Sequence, residues 1–288
     1  MRLLVITDTH ISAGRPVGRL GDYTADVDAK LTEVVEIARD IDASALLCAG
    51  DVFHHPAPAL SAIDRFLTFL ERLDRRFVTI PGSHDLIGNN LDALPRTAIG
   101  LLARLGKIEL LSSATALVVE VEGITVGIAG TECDIELTHS SVLPYSDFGE
   151  YTLLHDYRTS AKIVVVGHVH GGYDLTKANG VEYVCPGSLV RTAAQQSELV
   201  RRPRVAIIHD NFSVEWRELK SARPGSEVLS PPVVSPQIDF TNVIRGWSSI
   251  DIGQVDSVAL LREIAVQERI SSEAVEYTLR MLREEAER

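Results

Sequence analysis

The sequence predicts a layered α/β fold with a small helical extension at its C-terminus. Short apolar runs alternate with amphipathic helical patterns over roughly the first 105 residues, which is the pattern of βαβ units. The stretch that follows is instead rich in short strands. Prolines and glycines concentrated in residues 221–241 predict a linker, and residues 242–288 contain two amphipathic helical patterns. We therefore expect a main domain over residues 1–220 and a small helical extension after the linker.

Each predicted element follows from a local pattern. Short apolar runs predict buried strands at residues 3–6, 45–48 and 77–80. Apolar residues at helical spacing predict helices over residues 26–41, from Pro58 to about 73, and over 95–105. Two apolar runs joined by Glu122-Gly123 predict a hairpin over residues 116–129. Further strands are predicted at residues 151–154, 163–166, 182–185, 205–208 and 213–216.

Composition and charge narrow the class of protein. The chain has 28 basic and 40 acidic residues, a formal net charge of -12. This charge opposes adsorption onto nucleic acid or an anionic membrane, so a phosphate-containing substrate would need local positive charge such as bound metal. No apolar run reaches the ~18 residues of a membrane span, and we expect no signal peptide. Three widely spaced cysteines predict a reduced, cytoplasmic protein without a disulfide framework.

Residue types that bind metals follow the predicted strands in five places. Strand ends in a layered α/β fold meet at one rim, where such proteins bind ligands. Two carboxylates together with several imidazoles suit Mn²⁺, Fe²⁺ or Zn²⁺. Six of the nine histidines lie in these segments, which are Asp8-Thr9-His10, Gly50-Asp51 with His54, Gly82-Ser83-His84-Asp85, His155 and Gly167-His168-Val169-His170.

Each of these segments also has an ordinary structural interpretation when taken alone. A Gly-Asp pair is a common turn, and a single histidine after a strand is usually a turn residue. The joint occurrence of all five segments in one order favours a metal site instead. For His139 and His209 we favour a structural role, on a loop surface and at a strand end, and we leave His55 unassigned.

The ordered set resembles the signature of the calcineurin-like metallophosphoesterase superfamily, which reads D-x-H, GD, GNH[DE], H and GHxH. The resemblance covers about residues 1–220. Within the superfamily the sequence looks most like the nuclease branch formed by bacterial SbcD subunits and their relatives, phage members included. The segments that carry this finer resemblance are Gly50-Asp51-Val52-Phe53-His54 followed by Pro58, Ile80-Pro81-Gly82, and Tyr183-Val184-Cys185-Pro186-Gly187-Ser188.

This resemblance implies a four-layer αββα sandwich with a site for two divalent ions, expected to be Mn, with Fe or Zn as alternatives. The two ions would activate a water and neutralise charge on the phosphate. His84 would protonate the leaving oxygen and His54 would orient the phosphate. The ligands of the first ion would be Asp8, His10, Asp51 and His170. The ligands of the second would be Asp51, Ser83, His155 and His168.

Ser83 departs from the family pattern, which has Asn at this position. A serine offers a hydroxyl on a shorter side chain in place of an amide carbonyl. The second ion would then be held through water or more weakly, and loss of activity is an alternative outcome.

The leading functional hypothesis is a metal-dependent DNA nuclease. The resemblance implies an SbcC-type coiled-coil ATPase as a partner of the C-terminal helices, and we also consider a homodimer; no membrane is expected as a partner. Candidate DNA contacts are Arg15, Arg19, Arg191 and the run Arg201, Arg202 and Arg204, with solvated loop charges as the alternative interpretation of each. The alternatives are a phosphodiesterase or phosphatase for small nucleotides, which suits the acidic charge, and a catalytically weakened protein-binding scaffold, which Ser83 suggests.

Overall fold

Two six-stranded sheets stacked face to face form the centre of the fold. In this computed structural model, the described residues are 1–147, 150–193 and 196–230. The strands are β1 (Arg2–Ile6), β2 (Ala45–Cys48), β3 (Arg76–Thr79), β4 (Glu109–Leu110), β5 (Val118–Val121), β6 (Ile124–Ile128), β7 (Ile135–His139), β8 (Val142–Leu143), β9 (Thr152–Leu153), β10 (Ile163–Gly167), β11 (Tyr173–Ala178), β12 (Val181–Cys185), β13 (Arg204–His209) and β14 (Val214–Glu218).

Five α-helices and three short 3₁₀ helices accompany the strands in the described residues. The helices are α1 (Tyr23–Asp40), α2 (Leu60–Leu73), α3 (Ala98–Arg104), α4 (Gln196–Val200) and α5 (Gly225–Val228). The 3₁₀ helices span Ser83–Asp85, Ile87–Asn89 and Leu91–Arg96.

The sheet topology brings the ends of the central strands to one rim. The first sheet has the order β14-β13-β1-β2-β3-β4, in which β1 to β4 are parallel. The second has the order β11-β12-β10-β7-β6-β5, in which β6, β7, β10 and β12 are parallel. Antiparallel strands occupy edges of both sheets, including β5, β11 and β14. The loops after β1, β2 and β3 therefore meet those after β7 and β10.

Residue alternation along the strands separates two cores. Leu4 and Ile6 pack on the side of the helices, whereas Leu3 and Val5 pack between the sheets. This follows from the two-residue period of a strand, whose successive side chains point to opposite faces. Apolar faces of α1, α2 and α3 complete the first core. The two-layered centre thus buries both faces of β1.

The outer face of the second sheet is covered differently. Its apolar residues, among them Val164 and Tyr183, pack with Val142 of β8 and Leu154 just after β9. Strands β8 and β9 form a separate two-stranded sheet. In the described residues this short sheet, together with its flanking turns, is the layer over the second sheet. The expected α/β class with two sheets and flanking helices is confirmed.

Several predicted elements differ in their limits. Pro58 lies two residues before α2 instead of in its first turn, and Leu60 is 83% exposed instead of lying on the apolar face. The predicted helix over residues 95–105 is divided at Thr97, whose side chain caps α3 by accepting the Gly100 N–H. Four strands were not predicted: β4, β7, β8 and β11.

The main domain extends beyond residue 220. Residues 225–228 form α5, and Leu229 is buried and pairs with Arg19. The compact unit runs from Met1 to Val233. The rest of the predicted linker and the two C-terminal helices lie outside the described residues. Among those described, no helix is long and apolar enough to cross a membrane, and the three cysteines are free and buried.

Candidate metal centre

The candidate centre is built from loops that follow five strands. Asp8 and His10 follow β1, Asp51 follows β2, and His84 follows β3. From the second sheet, His139 ends β7, and His168 and His170 follow β10. Four of these residues have left-handed backbone angles, with φ values of 52° at Asp8, 41° at His10, 51° at Asp51 and 72° at His168. Such conformations cost free energy and concentrate at functional sites.

Four side chains from both sheets converge on one point. The potential ligand atoms of Asp8, His10, Asp51 and His170 all lie within 4.8 Å of one another. His10 Nε2 is 3.0 Å from His170 Nε2 and 3.8 Å from Asp51 Oδ2. His170 Nε2 is in turn 3.7 Å from Asp8 Oδ1. Asp8, His10 and Asp51 are buried, whereas the His170 side chain is 32% exposed.

His139 faces the same Asp51 oxygen as His10 does. Its Nε2 is 3.2 Å from Asp51 Oδ2, and its side chain is 5% exposed. Its Nδ1 donates a hydrogen bond to the Ala49 carbonyl at 2.7 Å. The contact with Asp51 is close but is not aligned as a hydrogen bond, because Nε2 has no hydrogen-bond partner in the described residues. Asp51 Oδ2 thus faces two imidazoles, that of His10 at 3.8 Å and that of His139 at 3.2 Å.

The turn that carries Ser83 and His84 packs directly on Asp51. The His84 N–H donates to Asp51 Oδ1 at 2.7 Å. A Cβ atom at Gly82 would lie 2.2 Å from the same oxygen, so only glycine allows this approach. The buried Asp85 carboxylate accepts N–H bonds from Gly82 at 3.0 Å and from Val52 at 3.1 Å. Asp85 therefore ties the β3 loop to the β2 loop.

His54 and His84 lie together at the open side of the centre. Their rings stack with centroids 5.0 Å apart, and both rings are near that of His10. His84 Nδ1 lies 2.9 Å from the His54 carbonyl, to which it donates. His84 is exposed and His54 is half-buried. An exposed imidazole next to a buried carboxylate cluster is available to a substrate.

The electrostatics of the centre follow from burial and from close opposite charges. Burial raises the pKa of Asp8 to about 6 and lowers that of His10. Burial alone would raise the pKa of Asp51, but His139 and His10 hold it well below its usual range. Burial opposes a proton on His139, yet Asp51 and Asp8 raise its pKa to about 9.

The donor set fits divalent ions. Because Nδ1 of His139 donates to a carbonyl, its Nε2 is an acceptor in the neutral ring, and it faces a carboxylate. His10 and His170 likewise bring two ring nitrogens to 3.0 Å. His10 Nδ1 and His139 Nε2 are buried without hydrogen-bond partners in the described part of the chain. Acceptor atoms facing each other require a cation or a proton, and this set of imidazoles and carboxylates suits transition metals.

The sequence pattern of the calcineurin-like phosphoesterases matches residues 1–172, well over half of the chain. The chain belongs to this family. It is a metal-dependent phosphoesterase, and Asp8, His10, Asp51 and His170 form a group that could hold a metal ion.

Three solved structures are similar to this phosphoesterase. A novel archaeal phosphodiesterase is 15% identical, with 76% of this chain and 100% of its own covered at a TM-score of 0.42. The Yfce phosphoesterase from E. coli is 14% identical, and the match covers 76% of this chain and 99% of Yfce at a TM-score of 0.40. TT1561 of Thermus thermophilus is 14% identical, and the match covers 75% of this chain and 98% of TT1561 at a TM-score of 0.46. No curated protein matches the sequence.

The structure corrects the position of one predicted metal ligand. We expected His155 to be a ligand of the second ion, but its side chain is 66% exposed and lies against Asp156 at 3.3 Å. His139 occupies the place beside Asp51 instead, although the sequence favoured a structural role on a loop surface. His139 ends β7, a strand that was not predicted, whereas His155 follows the peripheral β9.

The other predicted ligands of the phosphoesterase lie in the rim loops. His168 is exposed, its ring centroid is 5.2 Å from that of His139, and its N–H donates to the Asp8 carboxylate at 3.1 Å. Ser83 is half-buried in the turn that packs on Asp51. Thr192, which was not predicted, lies 3.4 Å from His170 Nδ1 through its hydroxyl.

Two of the predicted DNA contacts are not at the surface. The Arg19 side chain is fully buried and pairs with Asp26. Arg191 is 2% exposed and donates to the carbonyls of Arg223 and Arg201. Both guanidinium groups are held by contacts within the protein, so neither is presented to solvent as the predicted surface contact. Arg15 is exposed and stays a candidate.

Proposed function

We propose that this phosphoesterase hydrolyses phosphodiester bonds with two divalent ions, preferentially Mn²⁺, and that its substrate is DNA. The observation that carries the two-ion part is the position of Asp51. Its Oδ2 atom lies 3.8 Å from Nε2 of His10, which follows a strand of the first sheet, and 3.2 Å from Nε2 of His139, which ends a strand of the second. A buried carboxylate oxygen that faces imidazoles from both sheets is suited to a site that holds two divalent ions.

The first ion would be bound by Asp8, His10, Asp51 and His170. The second would be bound by Asp51, His139 and His168, with Ser83 at the position where the family has Asn. When bound, the two ions would lower the pKa of an attacking water and neutralise charge that develops on the phosphate oxygens.

The imidazoles at the open side would handle the phosphate and the leaving group. Because His84 Nδ1 donates to the His54 carbonyl at 2.9 Å, Nε2 is the atom that gains and gives up a proton. His84 would donate that proton to the leaving oxygen as a general acid. His54, stacked on His84, would orient the phosphate.

A hydrolysis assay with matched substrates tests this function. Protein loaded with Mn²⁺ would be incubated with bis-p-nitrophenyl phosphate and with linear and circular DNA, single- and double-stranded. We expect cleavage of both substrate classes and loss of both in Asp51→Ala, which controls for a contaminating nuclease. Hydrolysis of the small ester without cleavage of any DNA would refute the nuclease and favour a small-nucleotide phosphodiesterase, as the net charge of -12 suggests.

We further propose an SbcC-type coiled-coil ATPase as a partner of residues 242–288. The support is the sequence alone, which has two amphipathic patterns there. Copurification of an ATPase with the full chain, and its loss when Leu279 and Leu282 are changed to Glu, would support this partner. If that variant still binds the ATPase, the predicted helix face is not the binding surface. Measuring self-association of the same variant and of the wild type tests the homodimer.

A further inference from the structure

A basic pocket lies beside the metal centre, on the segments around α4, β14 and α5. It has a volume of about 410 Å³. Five basic residues and one acidic residue line it, namely Arg191, Arg201, Arg202, Lys220, Arg223 and Glu218. Such a concentration of positive charge is unexpected from composition, because the chain has a net charge of -12.

Carboxylates balance only part of this charge. The ion pairs are Arg201 with Glu198 at 2.8 Å, Arg202 with Glu218 at 3.3 Å and Arg223 with Glu227 at 3.2 Å. Arg191 and Lys220 have no carboxylate partner within the described ranges. The exposed pairs are worth little, because water and salt screen them. One more carboxylate, that of Glu33, lies against this segment and accepts the Lys220 and Ser221 N–H groups at 2.8 and 2.7 Å. Among the side chains that line the pocket itself, basic residues still outnumber acidic ones by five to one.

The buried side of the pocket is formed by Arg191. Its side chain is 2% exposed, and its Nε is buried without a hydrogen-bond partner in the described residues. Burial and Arg201 lower the pKa of Arg191 to about 10. Positive charges that are desolvated and under-compensated favour a bound anion.

Direct contacts connect the pocket to the metal centre. Arg201 Nη1 donates to the Ser188 carbonyl at 2.8 Å, and the Ser188 hydroxyl donates to the Asp8 carbonyl at 3.0 Å. Thr192, the neighbour of Arg191 in the chain, lies 3.4 Å from His170. One residue therefore separates a wall of the pocket from a candidate ligand of the first ion.

We propose that this basic pocket binds a backbone phosphate of a polynucleotide whose neighbouring phosphodiester lies at the metal centre. The inference rests on the proposed function and specifies its substrate as a chain with more than one phosphate. A single phosphodiester would have no group to place in a second phosphate site. Arg202, Lys220 and Arg223 are exposed and can contact a backbone from solution, while Arg191 forms the buried side of the pocket.

Binding of a labelled oligonucleotide tests the proposal. The measurement is fluorescence anisotropy of a 12-nucleotide single strand with wild-type protein and Lys220→Ala/Arg223→Ala, in EDTA and over a series of salt concentrations. We expect the double variant to bind about tenfold more weakly and its salt slope to fall by about 0.7 per lost phosphate contact. The control is Arg104→Ala/Lys107→Ala, which removes two exposed cations that form no ion pair in the described residues.

The outcomes separate the pocket from the hydrolytic function. We expect bis-p-nitrophenyl phosphate hydrolysis to be equal in both double variants and the wild type, with unchanged thermal unfolding. Oligonucleotide binding that is equal in the two double variants overturns the proposal, whatever the hydrolysis. Binding that depends on Lys220 and Arg223 without any hydrolysis supports the pocket and refutes the proposed function. The same anisotropy measurement is made with a labelled mononucleotide. If Lys220→Ala/Arg223→Ala weakens the binding of the mononucleotide by the same factor as that of the oligonucleotide, the pocket binds a single phosphate group and the polynucleotide assignment is overturned.

Discussion

His139 Nε2 lies 3.2 Å from Asp51 Oδ2, and this contact joins the two sheets at their common rim. Asp51 follows β2 of the first sheet, and His139 is the last residue of β7 in the second. Two glycines make room for the imidazole, since a Cβ atom at Gly50 or Gly167 would lie 2.6 or 2.8 Å from His139 Nδ1. The centre therefore depends on how the sheets stack.

The histidine pair His139 and His155 tests which residue serves the second ion. His139→Ala removes the imidazole beside Asp51. It should leave about one bound Mn²⁺ per chain and lower phosphodiester hydrolysis by orders of magnitude. His155→Ala should keep two ions and wild-type turnover, because its ring is exposed and contacts Asp156. The measurement is metal content after dialysis against Mn²⁺, together with bis-p-nitrophenyl phosphate hydrolysis. The reverse result, with His155→Ala impaired and His139→Ala active, would restore the assignment made from the sequence.

The sequence identified the first sheet well because its elements are local and regular. Strands β1, β2 and β3 are continuous apolar runs, and Asp8, His10, Asp51 and His84 follow them directly. The second sheet was harder because β7 contains a charged residue. Glu136 is fully buried there, and it accepts a hydrogen bond from Thr159 at 2.7 Å. A partner 23 residues away cannot be inferred from the local pattern, so the strand that ends at His139 was missed.

The buried arginines illustrate the same limit. Arg19 and Arg191 occupy loops in the sequence, where a basic residue is ordinarily exposed. Arg19 is covered because its segment pairs with Leu229, and Asp26 neutralises it. Arg191 is covered by carbonyls of Arg201 and Arg223, which lie further along the chain. Such long-range contacts depend on the complete fold.

His84→Ala should separate chemistry from metal binding. The side chain is exposed and contacts the His54 carbonyl, while the His84 backbone N–H holds Asp51 and is retained in the variant. Two bound ions should remain, and turnover should fall by ~10²–10⁴, as is usual when a general acid is lost. Metal content and kcat measured on one preparation give the comparison. Loss of an ion in His84→Ala would show that His84 is a metal ligand. Wild-type turnover in His84→Ala would exclude His84 as the general acid.

Lys30 should make the stability of the fold depend on pH. It lies buried on α1, and burial lowers its pKa from 10.5 to about 7. In the unfolded chain the amine binds a proton up to about pH 10, whereas in the native state it loses the proton above about pH 7. The free energy of unfolding therefore rises with pH across this window, by at most about 1.4 kcal/mol per pH unit for one proton.

Lys30→Met removes this titration and should be more stable than the wild type at pH 7, with the difference shrinking toward pH 10. Urea unfolding at pH 7, 8 and 9 gives the measurement. The exposed Lys107→Met is the control and should track the wild type. A constant difference between Lys30→Met and wild type across this range would show that Lys30 is charged in the native protein, with Asp26 as its nearest compensating charge.

Ser83 is the position where the chain and its family disagree, and its substitution reports how the second ion is held. The turn is fixed on Asp51 by the His84 N–H at 2.7 Å and by the close approach of Gly82, so a changed side chain at residue 83 should leave the backbone in place. Ser83→Asn supplies an amide carbonyl, a better neutral oxygen donor with a longer reach. We expect it to lower the Mn²⁺ concentration for half-maximal hydrolysis and to turn a two-phase activation curve into one phase. Ser83→Ala distinguishes a water between residue 83 and the second ion from direct ligation by the Ser83 hydroxyl. An unchanged Mn²⁺ titration indicates the water. A higher Mn²⁺ concentration for half-maximal hydrolysis indicates direct ligation. If Ser83→Asn leaves the titration unmoved or abolishes activity, the second site is not weakened at residue 83.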